Sequence, residues 1–368
     1  MIIRLSNYDG KYRVVSLAKD TETKECLKEQ GLSTLYINGN EALFLSDDVS
    51  LPLNADELAL FNDACNYDVF EISTAGNAYK YYDNKSLDNA ILVTNRCNSN
   101  CIMCPTAEII RKGNEEYTAA ALIEIAKHFP DDAPHITITG GEPFLIKTGM
   151  FELLGFLKEH LPYTEFLLLT NGRAFCSKEY VDSFIYTTPP NLQLGIPIHG
   201  HNAELHDYIV QSTGAFEQTC AGLKHLLASG AAIELRIVVS KLNADYFTEI
   251  AKLISAEFKG VHSVKIIGLE MTGNAAKNRD AVWISYPDAF QKSKRGIDIM
   301  VSSGIDVGLY NFPLCAVQKK YWNICEKSIS DYKIRYAPEC ETCIVIDACG
   351  GIFSGTIRMA KNDVKPIK

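Results

Sequence analysis

The sequence has no long apolar run: none of its 368 residues sits in a stretch approaching the roughly 18 consecutive apolar positions that a membrane span needs. Its first residues, MIIRLSNYDG, do not place an apolar segment behind a basic one, so no secretory signal is expected. Low-complexity tracts are missing. With 47% hydrophobic and 22% charged residues, the composition is that of an ordinary globular protein without a large disordered fraction. Basic excess is lacking as well. Lys+Arg number 36 against 45 Asp+Glu, a net charge of −9, so the chain as a whole repels polyanions and no nucleic-acid partner is expected. These absences predict a soluble, cytoplasmic protein with no membrane partner.

What the chain does have is cysteine, 12 residues of it. In a chain read as cytoplasmic, that number argues for metal or redox chemistry and against disulfides. Cys97, Cys101 and Cys104 form one group, and Cys315, Cys325, Cys340, Cys343 and Cys349 a second. Cys26, Cys65, Cys176 and Cys220 are scattered and read as small buried hydrophobes.

Three regions are expected. Residues 1–88 alternate apolar and polar positions over short runs punctuated by turn residues such as Asn38-Gly39-Asn40, which predicts a small β-rich module. Its strand pattern suggests a peptide-recognition role by edge pairing. Within residues 89–285 the period changes: apolar, β-branched runs at 91–94, 135–139, 166–170, 193–198, 233–239 and 263–267 alternate with helix-like stretches. Six such βα units predict either a partial (β/α)6 barrel or a doubly wound open sheet. Residues 286–368 read as short elements that need a metal staple.

Cys97, Cys101 and Cys104 lie in a loop directly after the first predicted strand. Three thiolates at this spacing can converge on one iron–sulfur cluster, and with no fourth cysteine nearby one iron stays open, as a catalytic metal requires. Zinc is the alternative, although it normally takes four ligands. A second motif, Gly140-Gly141-Glu142-Pro143, ends the second strand, where its backbone carbonyls can meet an ammonium group.

This pairing of loop and turn resembles the radical S-adenosylmethionine (SAM) superfamily. The resemblance implies a TIM-type partial barrel whose [4Fe-4S] cluster on Cys97, Cys101 and Cys104 binds SAM and cleaves it reductively to a 5′-deoxyadenosyl radical. It further implies that Gly140, Gly141, Glu142 and Pro143 hold the methionyl amino group, and that Met103 replaces an aromatic that packs near the adenine. Asn171, in Thr170-Asn171-Gly172, matches the family pattern at the third strand end, though an Asn-Gly turn explains it equally. Arg236 is expected either at the SAM carboxylate or in a structural ion pair. Pro197-Ile198-His199-Gly200 departs from the family's usual Ser and Asp at the fourth strand end. His199, His201 and His206 line the active site or are ordinary core and surface histidines, and Asp207 orients His206 or caps a helix.

The C-x2-C-x5-C spacing of Cys340, Cys343 and Cys349, with Cys315 upstream, is similar to the SPASM or twitch modules of peptide-modifying radical SAM enzymes. Four thiolates there would close an auxiliary [4Fe-4S] cluster, suited to electron transfer or stapling; a zinc ribbon is the rival, and Cys325 could replace Cys315. Residues 310–315, 328–333 and 338–354, with the loop at 94–101, resemble the C-type maturases of the His-Xaa-Ser peptide system. That likeness implies a ribosomal peptide substrate, a flavodoxin or ferredoxin reductant and a second radical SAM maturase as partner. Other SPASM-type reactions, such as sulfatase maturation or small-molecule chemistry, and a non-catalytic iron–sulfur protein are the alternatives.

Overall fold

The structure, a computed structural model, describes residues 2–113, 117–327 and 333–368. The resemblance noted at 328–333 therefore falls almost wholly outside the described residues.

The first region is a seven-stranded sheet built from β1 (Ile2–Arg4), β2 (Arg13–Ala18), β3 (Thr34–Asn38), β4 (Glu41–Phe44), β5 (Val49–Pro52), β6 (Val69–Ile72) and β7 (Asn77–Tyr82). Its order is β1-β7-β6-β2-β3-β4-β5. The β2–β3 pair is parallel because helix Thr21–Glu29 crosses between them, started by Asp20, whose carboxylate accepts the Thr23 N–H at 2.8 Å. One face buries Ile3, Val15, Leu17, Phe61 and Phe70. The other docks on the next domain through Tyr82 against Phe129, ring centroids 5.1 Å apart, and Ser16 Oγ bonded to His128 Nδ1 at 2.8 Å.

Eight parallel strands follow: β8 (Ala90–Leu92), β9 (His135–Thr139), β10 (Glu165–Leu169), β11 (Leu192–Pro197), β12 (Ala232–Val238), β13 (Ser263–Ile267), β14 (Asp306–Tyr310) and β15 (Cys325–Glu326). They lie in strict chain order, with β8 and β15 at the two edges. A doubly wound sheet would reverse its order at a switch point, so this is the partial-barrel alternative. One face of each strand carries the buried apolar residues, for example Ile136, Ile138, Leu194, Ile196, Leu235, Ile237, Val264 and Ile266, which pack under the crossover helices in one continuous core.

The sheet has two strands more than the six expected, and it runs past the boundary expected at residue 285. Helix Tyr286–Ser302, where the sequence was read as thinning into short elements, packs against helix Phe247–Glu257 and leads into β14. Two of its buried positions are Ser293 and Gly296, which hide its periodicity. A Cβ on Gly296 would stand 2.6 Å from Phe247 Cδ1, so close helix approach dictates the small residue. No helix among the described residues is long and apolar enough to cross a membrane.

Candidate functional site

The cysteine loop follows β8 and is held from three sides. The turn after β9 supports it from below: the Gly141 N–H donates to the Thr94 carbonyl at 2.7 Å and the Glu142 N–H to the Arg96 carbonyl at 2.8 Å. Gly140 has φ +152°, and a Cβ there would lie 2.4 Å from Thr94 O; on Gly141 it would lie 2.1 Å from Arg96 O. Two glycines are thus required for the turn to seat against the loop. On the second side, Arg173 Nη1 donates to the Asn98 carbonyl at 3.0 Å and to Ser212 Oγ at 2.8 Å, and Nε to Gln218 Oε1 at 2.7 Å. Arg111, buried beneath, donates to the Ser99 carbonyl at 2.7 Å and to Asn100 Oδ1. The third side is the short helix Gly273–Lys277 and its flank: Asn274 Nδ2 donates to the Cys101 carbonyl at 3.0 Å, and Asn278 Nδ2 to the Ile102 carbonyl at 2.9 Å.

Within this clamp the three thiols are close enough to feel one another. Burial pushes the Cys101 thiol up to about 12, and Cys104 and Cys97 add to the rise while Arg111 opposes it. Cys97 is raised as well, chiefly by burial. Among the described residues no three His, Cys, Asp or Glu side chains crowd one point as ligands of a single ion do. A set of three thiols on one loop has the donor chemistry of an iron–sulfur cluster, which they fit.

Several residues expected at the cofactor have other partners. Glu142 is buried with its carboxylate turned inward: Oε1 accepts the Phe144 N–H at 3.1 Å and the Thr170 hydroxyl at 2.8 Å, and Oε2 the Asn171 N–H at 2.7 Å. Desolvation nevertheless raises its pKa. Glu142 caps the turn Pro143–Ile146, which Pro143 opens, and both shape the end of β9. Met103 is packed into an apolar cluster with Ile209, Leu269, Met271, Ala275 and Val282, so its side chain supports the loop from within. Arg236 is ion-paired, with Nη1 2.5 Å from Glu234 Oε1. Asn171 Nδ2 donates to Asn98 Oδ1 at 2.6 Å, which ties the third strand end to the cysteine loop.

The histidines after β11 divide. His199 and His206 are buried and stacked at 6.1 Å, and desolvation depresses them to about 3 and about 4, so both are neutral. His201 stacks on Tyr246 at 5.6 Å. Asp207 caps the helix Ala215–Ala228, accepting the Gly214 and Phe216 N–H groups at 2.6 and 2.7 Å.

The sheet face turned away from the helices is layered. Its strand ends beside the cysteine loop carry Leu92, Thr139, Leu169, Pro197, Val238, Ile267 and Tyr310, whereas the charged Glu234, Arg236 and Lys265 lie nearer the middle of β12 and β13. Lys265 Nζ lies 2.7 Å from Glu326 Oε1, and a Cβ on Gly308 would stand 2.3 Å from that oxygen, so the glycine makes room for the pair.

All twelve cysteines are free thiols. Of the scattered ones Cys26, Cys65 and Cys220 are half-buried, but Cys176 is exposed and is no core hydrophobe. In the second group, Cys315, Cys340, Cys343 and Cys349 line one small cavity with Tyr336, Ile352 and Val364 among its walls. Cys325 does not line it; its thiol lies in β15 and points to the Tyr321 carbonyl at 3.5 Å. Backbone N–H groups are aimed at the sulfurs: Leu314 and Gly351 at Cys349 Sγ (3.3 and 3.4 Å), Lys365 at Cys315 Sγ and Ile367 at Cys343 Sγ (both 3.4 Å). Sequence reasoning missed Arg111, Arg173, Asn274 and Asn278; only the position of Arg173, directly after Thr170-Asn171-Gly172, carried a signal.

The sequence model of the radical SAM superfamily matches residues 91–254, the stretch from β8 through helix Phe247–Glu257. The match, to a superfamily of enzymes, covers this segment and not the whole chain. Among curated proteins, the chain is 31% identical over 172 residues to the AdoMet-dependent heme synthase of Methanosarcina barkeri, covering 45% of the chain and 46% of that protein. To the pre-heme d1 synthase of Dinoroseobacter shibae it is 27% identical over 221 residues, 58% of the chain and 50% of that protein. The chain thus spans about half the length of the curated relatives it matches. Of solved structures, Streptococcus suis SuiB bound to the precursor peptide SuiA superposes with a TM-score of 0.51 at 13% identity, over 67% of this chain and 54% of SuiB. The fold is shared with SuiB, while the names of the curated relatives differ from the His-Xaa-Ser maturases that most of residues 90–356 resemble.

Proposed function

We propose that the chain is a radical SAM enzyme that modifies a ribosomally made peptide of the His-Xaa-Ser type. In this reading Cys97, Cys101 and Cys104 hold a [4Fe-4S] cluster with one open iron, and Cys315, Cys340, Cys343 and Cys349 hold a second, closed one. The observation that carries it is the gathering of four cysteines, spread from 315 to 349, around one cavity in a chain that also holds a three-thiol loop. An open set suits substrate chemistry, a saturated set electron transfer or stapling.

With SAM bound, the first cluster would supply reductive cleavage of the sulfonium and hydrogen-atom abstraction. The chain's own residues do the positioning. The Gly140-Gly141 backbone, fitted against Thr94 and Arg96, presents carbonyls to the amino group of the methionyl end. Arg173, Arg111 and Asn274 fix the cysteine loop so that this geometry is set before SAM arrives. A flavodoxin or ferredoxin would deliver the electron, and a second radical SAM maturase would act on the same peptide.

The peptide class is supported by the C-terminal cysteine spacing and by the shared fold of SuiB, captured with a precursor peptide. A second reading, tetrapyrrole chemistry, is favoured by the heme synthase names of the curated relatives. The two are separated by anaerobic reconstitution with iron and sulfide, followed by SAM and dithionite in the presence of either a deuterated His-Xaa-Ser repeat peptide or a tetrapyrrole. Deuterium appearing in 5′-deoxyadenosine with the peptide, and lost in Cys101→Ala, supports the proposal. Turnover with the tetrapyrrole alone would transfer the assignment to the second reading, and a fully loaded protein that never consumes SAM would end both.

A further inference from the structure

The four-thiol cavity is closed on one side by the segment 363–367, which lies 14 residues or more beyond Cys349 in the sequence. Val364, Lys365 and Pro366 line it directly. The segment is pinned at both ends. Asp363 Oδ2 accepts the Tyr286 N–H, at the start of helix Tyr286–Ser302, at 3.0 Å, and the Ile367 carbonyl accepts the Ile344 N–H at 3.0 Å. Val364 is buried in the main core. Between these anchors the segment offers the cavity its backbone, not its charges: the Lys365 and Ile367 N–H groups each reach a sulfur at 3.4 Å, on Cys315 and Cys343. Lys365 as a residue is exposed. The other two N–H···S bonds both serve Cys349 and come from the cysteine loops themselves.

We propose that the segment 363–367 is the lid of the auxiliary iron–sulfur site and that its Lys365 and Ile367 amides tune the reduction potential and lability of the cluster. The proposal rests on reading Cys315, Cys340, Cys343 and Cys349 as cluster ligands. Reduction adds negative charge that is shared with the thiolate sulfurs, so N–H dipoles aimed at them favour the reduced form and raise the potential. Because Asp363 holds the first residue of helix Tyr286–Ser302, movement in the barrel body would be felt at the cluster through five residues.

The test uses the full-length chain carrying Cys97→Ala, Cys101→Ala and Cys104→Ala, so that iron reports the second site alone. Redox titration followed by electron paramagnetic resonance gives the potential, and iron release to a chelator gives the lability. Lys365→Pro and Ile367→Pro each delete one donor, whereas Lys365→Ala keeps the N–H and changes only the side chain. The proline variants are expected to shift the potential to more negative values and to release iron on the order of 10-fold faster. Lys365→Ala should match its parent. Loaded proline variants with the parent's potential and release rate would overturn the lid while leaving the cluster reading intact. A parent that assembles no cluster removes the reading and the lid together. Should the proline variants not fold, hydrogen exchange of the unsubstituted chain decides: slow amides at 365 and 367 only when the cluster is loaded support the lid, and equal exchange with and without it refutes it.

Discussion

Replacing Gly141 with alanine perturbs the site at its most constrained contact. The added Cβ would stand 2.1 Å from Arg96 O, 2.5 Å from Arg96 C and 2.7 Å from Asn95 O, all of them backbone atoms just ahead of Cys97. Ordinary contact needs roughly an ångström more. No rotamer change supplies it, so the strand end must move, and the Glu142 N–H bond to the Arg96 carbonyl, 2.8 Å long, goes with it. Overpacking of this kind costs about 1–3 kcal/mol in stability. The larger effect falls on chemistry, because a displacement of about 1 Å at positioned groups lowers rates by about 100-fold. Gly155 is the matched control: it lies in helix Thr148–His160 with nothing within 4 Å of its would-be Cβ, so Gly155→Ala should stabilise by about 0.5–1 kcal/mol. The assay pairs urea unfolding with 5′-deoxyadenosine formation after anaerobic reconstitution. Gly141→Ala with a full iron complement and the parental rate would refute the reasoning.

The remaining predictions concern other parts of the chain. Arg236→Leu should destabilise by about 3 kcal/mol by leaving the poorly exposed Glu234 unpaired, and Glu234→Leu/Arg236→Leu together should recover most of it with unchanged SAM affinity by calorimetry; weaker SAM binding in both variants would return Arg236 to the cofactor. His128 is held neutral by burial, its pKa lowered from 6.5 to about 4. Its contribution is therefore complete above about pH 6.5 and is lost as the pH falls toward 4, because the unfolded chain takes up the proton first; the loss amounts to about 3 kcal/mol. His199 and His206, lowered to about 3 and about 4, add to the same slope, so His128→Gln should narrow the gap between urea midpoints at pH 7 and pH 5 without closing it, and an unaltered pH slope in that variant counts against it. Cys325→Ser should keep the wild-type iron content, whereas Cys315→Ser should lose that of one cluster; the reverse outcome would exchange their roles.

Local patterns in the sequence located the βα units, the three-thiol loop, the Gly-Gly turn and the four cysteines of the second cavity, because each is a matter of spacing along the chain. Two classes of feature escaped. Elements whose buried faces are not apolar were missed, as in Tyr286–Ser302 with Ser293 and Gly296 inside, and β15, two residues long, exists only through its pairing with Leu309 and Tyr310. The second class is polar residues whose partners are distant backbone atoms. Arg173 reaches Asn98 across 75 positions and Asn274 reaches Cys101 across 173, distances that no motif encodes. The inward partners of the Glu142 carboxylate, Phe144, Thr170 and Asn171, were likewise invisible in the sequence. The same holds for the apolar cluster that gathers Met103 with Ile209 and Met271.

The apolar strand ends and the deeper charges of the inner sheet face bear on anything that lies across it. A molecule with one greasy end and one polar end has a favoured orientation there, with its greasy end over Leu92, Leu169, Val238 and Ile267, before any specific hydrogen bond forms. The ions beneath are already matched, Arg236 with Glu234 and Lys265 with Glu326. A visiting carboxylate or ammonium must therefore displace an existing partner, whereas a neutral hydroxyl, amide or imidazole can join without a charge being stranded. That surface sorts its guests by polarity and points them at the same time.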